Sequence, residues 1–318
     1  MTRIYSLSQI EAALPQVDVV KEIGDGFVSF SKGEVEVPPV GELMFPENSG
    51  EMHIKYGAVH GDDVFVVKLA TGFFKNPELG LPPFGGCMLV LSQKTGMVEA
   101  VLLEEGELTN HRTAAAGAVA ANALAPKNVQ RIGIVGSGVQ ARLQAEYLQR
   151  VTDCRDLSIW ARNEESVQAA AKDLRAQGYA VRVPDSLEQL CAETQLIVTT
   201  TPAETPLLTK AMVQPGTHIT AMGSDTPGKN EIAPEILAMA DVVVGDSLAQ
   251  CQLRGEIFQA CKVGAIASGK AVELGAVIAD PSLGRSSDEQ ITIADLTGVA
   301  VQDIAIAKAV MNELDQGT

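Results

Sequence analysis

The stretch Arg131-Ile-Gly-Ile-Val-Gly-Ser-Gly-Val-Gln-Ala141 decides how the chain is read. An apolar run at 132–135 leads into Gly136, Gly138 and Ala141 at the spacing G-x-G-x-x-A, and helical period follows over 140–150. The first glycine permits a tight turn, the second lets backbone approach a pyrophosphate, and the small third residue seats the helix on the strand. The helix N-terminus adds amides and a positive dipole for the phosphates. Gly136, Ser137, Gly138, Val139 and Gln140 are therefore the candidate phosphate cradle. Alone, the spacing also fits a merely tight turn, so its surroundings matter.

Downstream, apolar runs at 157–160, 196–200, 218–222 and 242–245 alternate with stretches of helical period. Short buried strands separated by helices indicate a parallel, doubly wound sheet. Upstream, over about 20–105, apolar runs at 33–39, 52–56, 64–71, 87–92 and 97–103 are broken by Gly, Pro and Asn, which predicts a largely antiparallel β region. Between the halves, 108–126 reads as an Ala-rich helix capped by Thr109 or Asn110 and stopped at Pro126. A last helix is expected over 299–314, with Ile304, Ala307, Ala309 and Val310 apolar. The fold class is α/β: a Rossmann doubly wound domain (121–297) inserted in an α+β lobe built from 1–120 and 298–318.

At about 150 residues per domain, 318 residues make two. Lys and Arg number 24 against 40 Asp and Glu, a formal charge of −16. Such a body repels phosphate backbones and anionic lipid, so nucleic acid and membrane surfaces are not expected partners. An anionic ligand must be held by a local cluster of cations. No apolar run approaches the roughly 20 residues of a membrane span, and the N-terminus lacks the apolar core of a signal peptide. Five scattered cysteines with no C-x-x-C point to reduced thiols in the cytoplasm. The four histidines form no ligand pair, so no metal is expected.

Three charged residues stand out. Lys68 lies in an apolar strand, where an ammonium needs an anion nearby or an edge that reaches water. Arg112 falls in the first turn of the Ala-rich helix, where the dipole disfavours a cation. It is there either to hold a substrate carboxylate or to pair with Glu104, Glu105 or Glu107. Asp225 follows the 218–222 strand at the edge where ligands bind such sheets, and reads either as a proton carrier beside a nicotinamide or as a turn residue. Past the 157–160 strand, Ala161-Arg162-Asn163 carries no carboxylate to grip a ribose 2′-hydroxyl. Arg162 could meet a 2′-phosphate, so NAD(H) and NADP(H) both stay open.

Beyond these single residues, the chain resembles the ornithine cyclodeaminase and mu-crystallin family over almost its whole length. The resemblance rests on Val67-Lys68, His111-Arg-Thr-Ala-Ala, Gly136-Ser-Gly-Val-Gln-Ala-Arg142, Met222-Gly-Ser-Asp-Thr-Pro-Gly-Lys-Asn-Glu231 and Ile293-Ala-Asp-Leu-Thr-Gly-Val-Ala300. It implies a homodimer whose β lobe binds substrate while the Rossmann domain carries the nucleotide, with Ala161, Arg162, Thr200, Thr201, Met222 and Gly223 among the cofactor contacts. By position it implies that Lys68 and Arg112 bind the substrate α-carboxylate, that Asp225 transfers the proton, and that Glu51 lies near the amine. Many members carry Arg after Pro38-Pro39, where this chain has Val40, and Lys55 is the candidate to replace it or to hold a second carboxylate. Cyclodeaminases often carry Asp where this chain has Ala161. Glu51-Met-His-Ile-Lys55 and Thr199-Thr-Thr-Pro202 are similar to the imine-reductase branch, which includes iminosuccinate and ketimine reductases. The implied activity is NAD(P)H-dependent reduction of a small anionic 2-imino acid, with iminosuccinate as the nearest substrate. The alternatives are an ornithine-type cyclodeaminase and a non-catalytic nucleotide or ligand binder.

Overall fold

The computed structural model describes residues 2–316. The backbone divides into two units, one running through Arg112 and resuming at Val299, the other comprising Thr113–Gly298.

In the first unit, β1 (Arg3–Tyr5) precedes α1 (Leu7–Ala13) and α2 (Val19–Ser31), then come β2 (Val35–Glu36), β3 (Gly41–Phe45), β4 (Gly50–Val59), β5 (Val64–Phe73), β6 (Phe84–Ser92) and β7 (Val98–Leu102). Among the described residues these strands form a seven-stranded sheet in the order β1-β7-β6-β5-β4-β2, with β3 also on β4. It is antiparallel except where β1 lies beside β7. The predicted antiparallel β region is thus present, but β1, β3, α1 and α2 had not been anticipated. The Ala-rich helix α3 (Glu107–Leu124) leads out of this unit. It begins ahead of Thr109 and Asn110, so neither is its cap. The Glu104 carboxylate accepts the Thr109 N–H at 3.2 Å instead, which places Arg112 in the second turn rather than the first.

The second unit begins with β8 (Ile132–Val135), α4 (Val139–Leu148), β9 (Asp156–Trp160), α5 (Glu164–Ala176), β10 (Ala180–Arg182), α6 (Leu187–Glu193), β11 (Leu196–Thr199) and β12 (His218–Ala221). It continues through α7 (Pro234–Met239), β13 (Val242–Gly245), α8 (Leu248–Cys251), α9 (Gly255–Lys262), β14 (Val272–Glu273), α10 (Leu274–Ala279) and β15 (Thr292–Asp295). Every strand pairing here is parallel, in the order β10-β9-β8-β11-β12-β15-β13-β14. β8, β11, β12 and β15 are buried along their whole length, as strands covered on both faces are. The chain moves outward from β8 through β9 and β10 and then restarts on the other side of β8 with β11. The carboxyl ends of β8 and β11 therefore flank a topological switch point, the standard ligand edge of such sheets.

The chain then returns to the first unit as α11 (Ala300–Gln316), which lies on α2, β4 and β5. Its approach to β4 is close. A Cβ on Gly57 would sit 2.5 Å from the Glu36 carbonyl oxygen and 3.3 Å from Ile304 Cδ1. Val301, Ile304, Ala307 and Val310 are buried in this contact, and so is one acid, Asp303.

Candidate active site

The first unit gathers an uncommon set of buried charges. Lys68 stands in the middle of β5, between β4 and β6, and is 1% exposed, so it is not an edge lysine reaching water. Its Nζ donates to Asp303 Oδ1 at 2.8 Å. Arg112 Nε lies 3.1 Å from the same oxygen, an ion pair whose angle does not make a hydrogen bond, and another guanidinium nitrogen donates to Gln302 Oε1 at 2.8 Å. The protein partners of Arg112 are thus on α11, and the alternative pairing with Glu104, Glu105 or Glu107 is not what the structure shows. Two buried cations share one carboxylate oxygen, and the buried Glu104 carboxyl also attracts Lys68.

Burial pushes the Asp303 carboxyl up, but Lys68, Arg112 and Lys55 outweigh it and hold it below its ordinary value. Burial, reinforced by Arg112, pulls the Lys68 ammonium down against the attraction of Asp303. Glu104 is also buried, and its carboxyl is pushed up by burial, which weakens it as a counter-charge. Glu104 Oε1, Gln302 Nε2 and Asp303 Oδ2 are buried with no hydrogen-bond partner among the described residues. Buried polar atoms are rarely left unsatisfied; of these three only the Gln302 amide nitrogen is a donor, while the two carboxyl oxygens call for N–H or O–H groups.

Lys55 is buried on β4 and directly opposite Lys68 in the β4–β5 register, so the two side chains share a face of the sheet. Glu51 lies four residues earlier on β4, about 13 Å along the strand, with its carboxylate 3.8 Å from His53 Nε2. The structure thus assembles Lys68, Arg112 and Lys55 around Asp303 and leaves Glu51 outside that cluster.

In the second unit, β8 ends in the glycine turn. Gly136 has φ +125°, and a Cβ there would lie 2.3 Å from Thr200 Oγ1, so the turn needs glycine both for its conformation and for its closeness to the strand beyond. Gly138 is different. Its backbone is extended, and a Cβ would meet nothing within 4 Å. That open space faces the start of α4, where Gly138 as N-cap supplies no side-chain acceptor for the first amides. The observed cradle fits a phosphate. Ser137 Oγ pairs with Ser166 Oγ at 2.8 Å, and the Arg142 guanidinium donates to the carbonyls of Ser137 and Gly138 at 2.6 and 3.1 Å, holding the turn from behind. Val139 is exposed, and Gln140 Oε1 accepts from Gln144 Nε2 at 3.3 Å. Ala141 is fully buried against the strand, as the third small position requires.

At the tip of β9, a groove is lined by Trp160, Ala161, Arg162, Glu164, Pro184 and Asp185. Residues 161–163 bring no carboxylate, and Asn163 is engaged as the cap of α5, but Glu164 and Asp185 reach the same groove.

Val135, Thr199 and Ala221 close β8, β11 and β12 in register, so Thr200 and Thr201 and the segment 222–225 emerge side by side. Asp225 is half-exposed, with Lys229 Nζ 2.6 Å from its Oδ1 and Arg254 donating to its carbonyl at 3.1 Å. Among the described residues, no group of three or more His, Cys, Asp or Glu side chains is placed to hold a metal ion.

Sequence reasoning missed Asp303 and Gln302 in the first unit and Glu256 in the second, and gave no role to Glu231. The available signal for Asp303 was an acid next to the apolar run Ile304-Ala-Ile-Ala307 in the first turns of α11. A profile of the ornithine cyclodeaminase/mu-crystallin family matches residues 2–318. An uncharacterized cyclodeaminase of Sinorhizobium fredii is 42% identical over 309 residues, spanning 96% of this chain and 93% of the relative. The iminosuccinate reductase of Paracoccus denitrificans is 34% identical over 312 residues, covering 97% and 93% of the two chains. The solved structure of an archaeal alanine dehydrogenase dimer with bound NAD superimposes with a TM-score of 0.91 at 33% identity, covering 100% of this chain and 97% of that one. The chain belongs to the ornithine cyclodeaminase/mu-crystallin family.

Proposed function

We propose that the chain is a nicotinamide-dependent reductase that converts a small 2-imino acid into the L-amino acid. The observation that carries this reading is the pair Lys68 and Arg112 on one oxygen of Asp303, which offers two buried cations to a carboxylate. NAD(H) or NADP(H) would be held by the cradle 136–140 and by Thr200, Thr201, Met222 and Gly223, with Ala161 and Arg162 toward the adenosine end. When bound, the nucleotide supplies the hydride. Lys68 and Arg112 fix the carboxylate and so orient the neighbouring imine carbon, which makes the transfer effectively unimolecular. Their charge also draws electron density from that carbon as the hydride arrives. Asp225 supplies or orients the proton for the imine nitrogen, and Lys229, 2.6 Å from its carboxylate, sets its orientation. Lys55, on the face shared with Lys68, suits a second carboxylate, which makes iminosuccinate the first substrate to try.

The likeness to an uncharacterized cyclodeaminase supports a second reading, an ammonia lyase acting on ornithine or a similar diamine. The readings separate in one assay. A reductase oxidises NADH or NADPH when given a 2-oxo acid and ammonia or a cyclic imino acid. A cyclodeaminase releases ammonia with no net change in the nucleotide, and a binder does neither. Asp225→Asn should abolish turnover while the nucleotide still binds, and full activity in that variant would remove Asp225 from the mechanism.

The expected partner is a second copy of the chain. Leu43 and Met44 of β3 and Phe74, Leu79, Leu81 and Phe84 at the ends of β5 and β6 are all more than half exposed, an apolar patch of the kind that marks an interface. The free cysteines suit a cytoplasmic location. No helix among the described residues is long and apolar enough to cross a membrane.

A further inference from the structure

The loop that carries Asp225 is tied down by an acid that the proposed chemistry does not use. Glu231 ends the stretch Met222-Gly-Ser-Asp-Thr-Pro-Gly-Lys-Asn-Glu231 and is fully buried. Its Oε1 accepts the Thr201 N–H at 2.6 Å and the Thr201 hydroxyl at 2.7 Å. Its Oε2 accepts the Thr199 hydroxyl and the Gly223 N–H, both at 2.7 Å. All four acceptor sites of the carboxylate are therefore occupied by donors. One side chain spans the segment after β11 and the segment after β12. The fit is tight, since a Cβ on Gly223 would lie 2.0 Å from the Thr201 carbonyl oxygen and 2.5 Å from Glu231 Cδ. Glu231 is itself fixed, because the buried Glu256 carboxylate accepts its N–H at 2.8 Å and also takes the Ser224 hydroxyl. Gly223 and Ser224 are thus each held immediately before Asp225.

We infer that Glu231 is a positioning residue of the proposed reduction: it locks the segment bearing Asp225 to the Thr199–Thr201 segment, so that nucleotide seating and proton transfer depend on one buried carboxylate. The inference rests on the reading of Asp225 as the proton donor and of Thr200 and Thr201 as nucleotide contacts.

The test uses the full chain. Glu231→Gln keeps size and shape, but its amide has only one acceptor oxygen and presents donors at the other end. Either the Thr201 pair or the Thr199–Gly223 pair then faces N–H groups. Displacing a reacting group by about 1 Å costs on the order of 100-fold, so kcat should fall by about 30- to 100-fold. The NADH dissociation constant, followed by nucleotide fluorescence, should weaken about tenfold, while KM for the imino acid stays within about threefold. A folded variant with wild-type kcat, or a loss confined to KM, would overturn the inference. Should Glu231→Gln fail to fold, Thr199→Val and Thr201→Val each remove one hydroxyl donor and are expected to lose kcat and NADH affinity together, by about threefold or more. Wild-type values in both would also overturn it. Asp225→Asn in the same assay separates the two layers. If it turns over normally, the proton-donor reading fails. If it is inactive while Glu231→Gln is unaffected, only the positioning role fails.

Discussion

Replacing Asp303 with Asn removes one negative charge and leaves the shape of the side chain. In the native cluster its Oδ1 faces Lys68 Nζ at 2.8 Å and Arg112 Nε at 3.1 Å, and the Asp303 and Lys68 side chains are each 1% exposed, so water cannot make up the loss. Deleting one partner of a buried ion pair costs about 3–5 kcal/mol, because the remaining charge stays buried without compensation. For a unit of this size each kcal/mol is worth about 2–4 °C in Tm, which gives a fall of about 6–20 °C. The loss should be partly reversed by an anion. A 2-oxo acid added at saturating concentration restores a carboxylate to the cluster, so it should raise the Tm of Asp303→Asn by more than it raises that of the wild type. Thermal melting at neutral pH, with and without the oxo acid, reads both effects. A variant that melts within about 1 °C of wild type would refute the charge reasoning. A variant that melts early but gains nothing extra from the oxo acid would refute the assignment of the cluster to a carboxylate.

Gly138→Ala should leave Tm unchanged, since its Cβ meets nothing in the protein, yet weaken nucleotide binding about tenfold or more by entering the phosphate space. Gly136→Ala should instead lower Tm, because of its φ of +125° and the Thr200 hydroxyl 2.3 Å away. Arg162→Ala is expected to raise KM for NADPH and to leave KM for NADH within about twofold, as measured by parallel steady-state assays. Burial raises the Glu256 carboxyl from 4.5 to about 8 and the Asp295 carboxyl from 3.8 to about 7. Between those values the folded chain keeps protons that the unfolded chain has released, so stability falls as pH rises from about 5 to 8, and Glu256→Gln should flatten that slope in urea titrations. Burial, with Arg285 adding to it, lowers His218 from 6.5 to about 3. The unfolded chain then takes up the proton first, stability falls as pH drops through that window, and His218→Asn should flatten this acid limb.

The parts of the fold set by local pattern were legible. The five apolar runs read from 132 to 245 are β8, β9, β11, β12 and β13, because strands buried on both faces leave unbroken apolar signatures. β15 escaped notice since Thr292-Ile-Ala-Asp295 offers only two apolar residues, its burial coming from neighbours on both sides rather than from its own composition. The start of α3 was misplaced because its first amides are served by Glu104, an acceptor outside the usual cap position. Lys68, Arg112 and Asp225 stood out because a charge in an apolar or small-residue setting demands a partner. What the sequence could not show was which partner. Asp303 lies 235 positions from Lys68 along the chain, and only the packing of α11 on β5 brings them together. Glu231 was visible within a motif, yet its four donors come from two separate strand ends, a relation that spacing alone does not encode.

The most direct measurement follows the hydrogen itself. Nicotinamide nucleotide carrying deuterium at the transferable C4 position is incubated with the protein and a 2-imino acid, and the amino acid formed is analysed by mass spectrometry and chiral chromatography. The account predicts one deuterium on the α-carbon of an L-amino acid, with one nucleotide oxidised per product. Deuterium retained in the nucleotide while ammonia is released, or an amino acid without label, would contradict it.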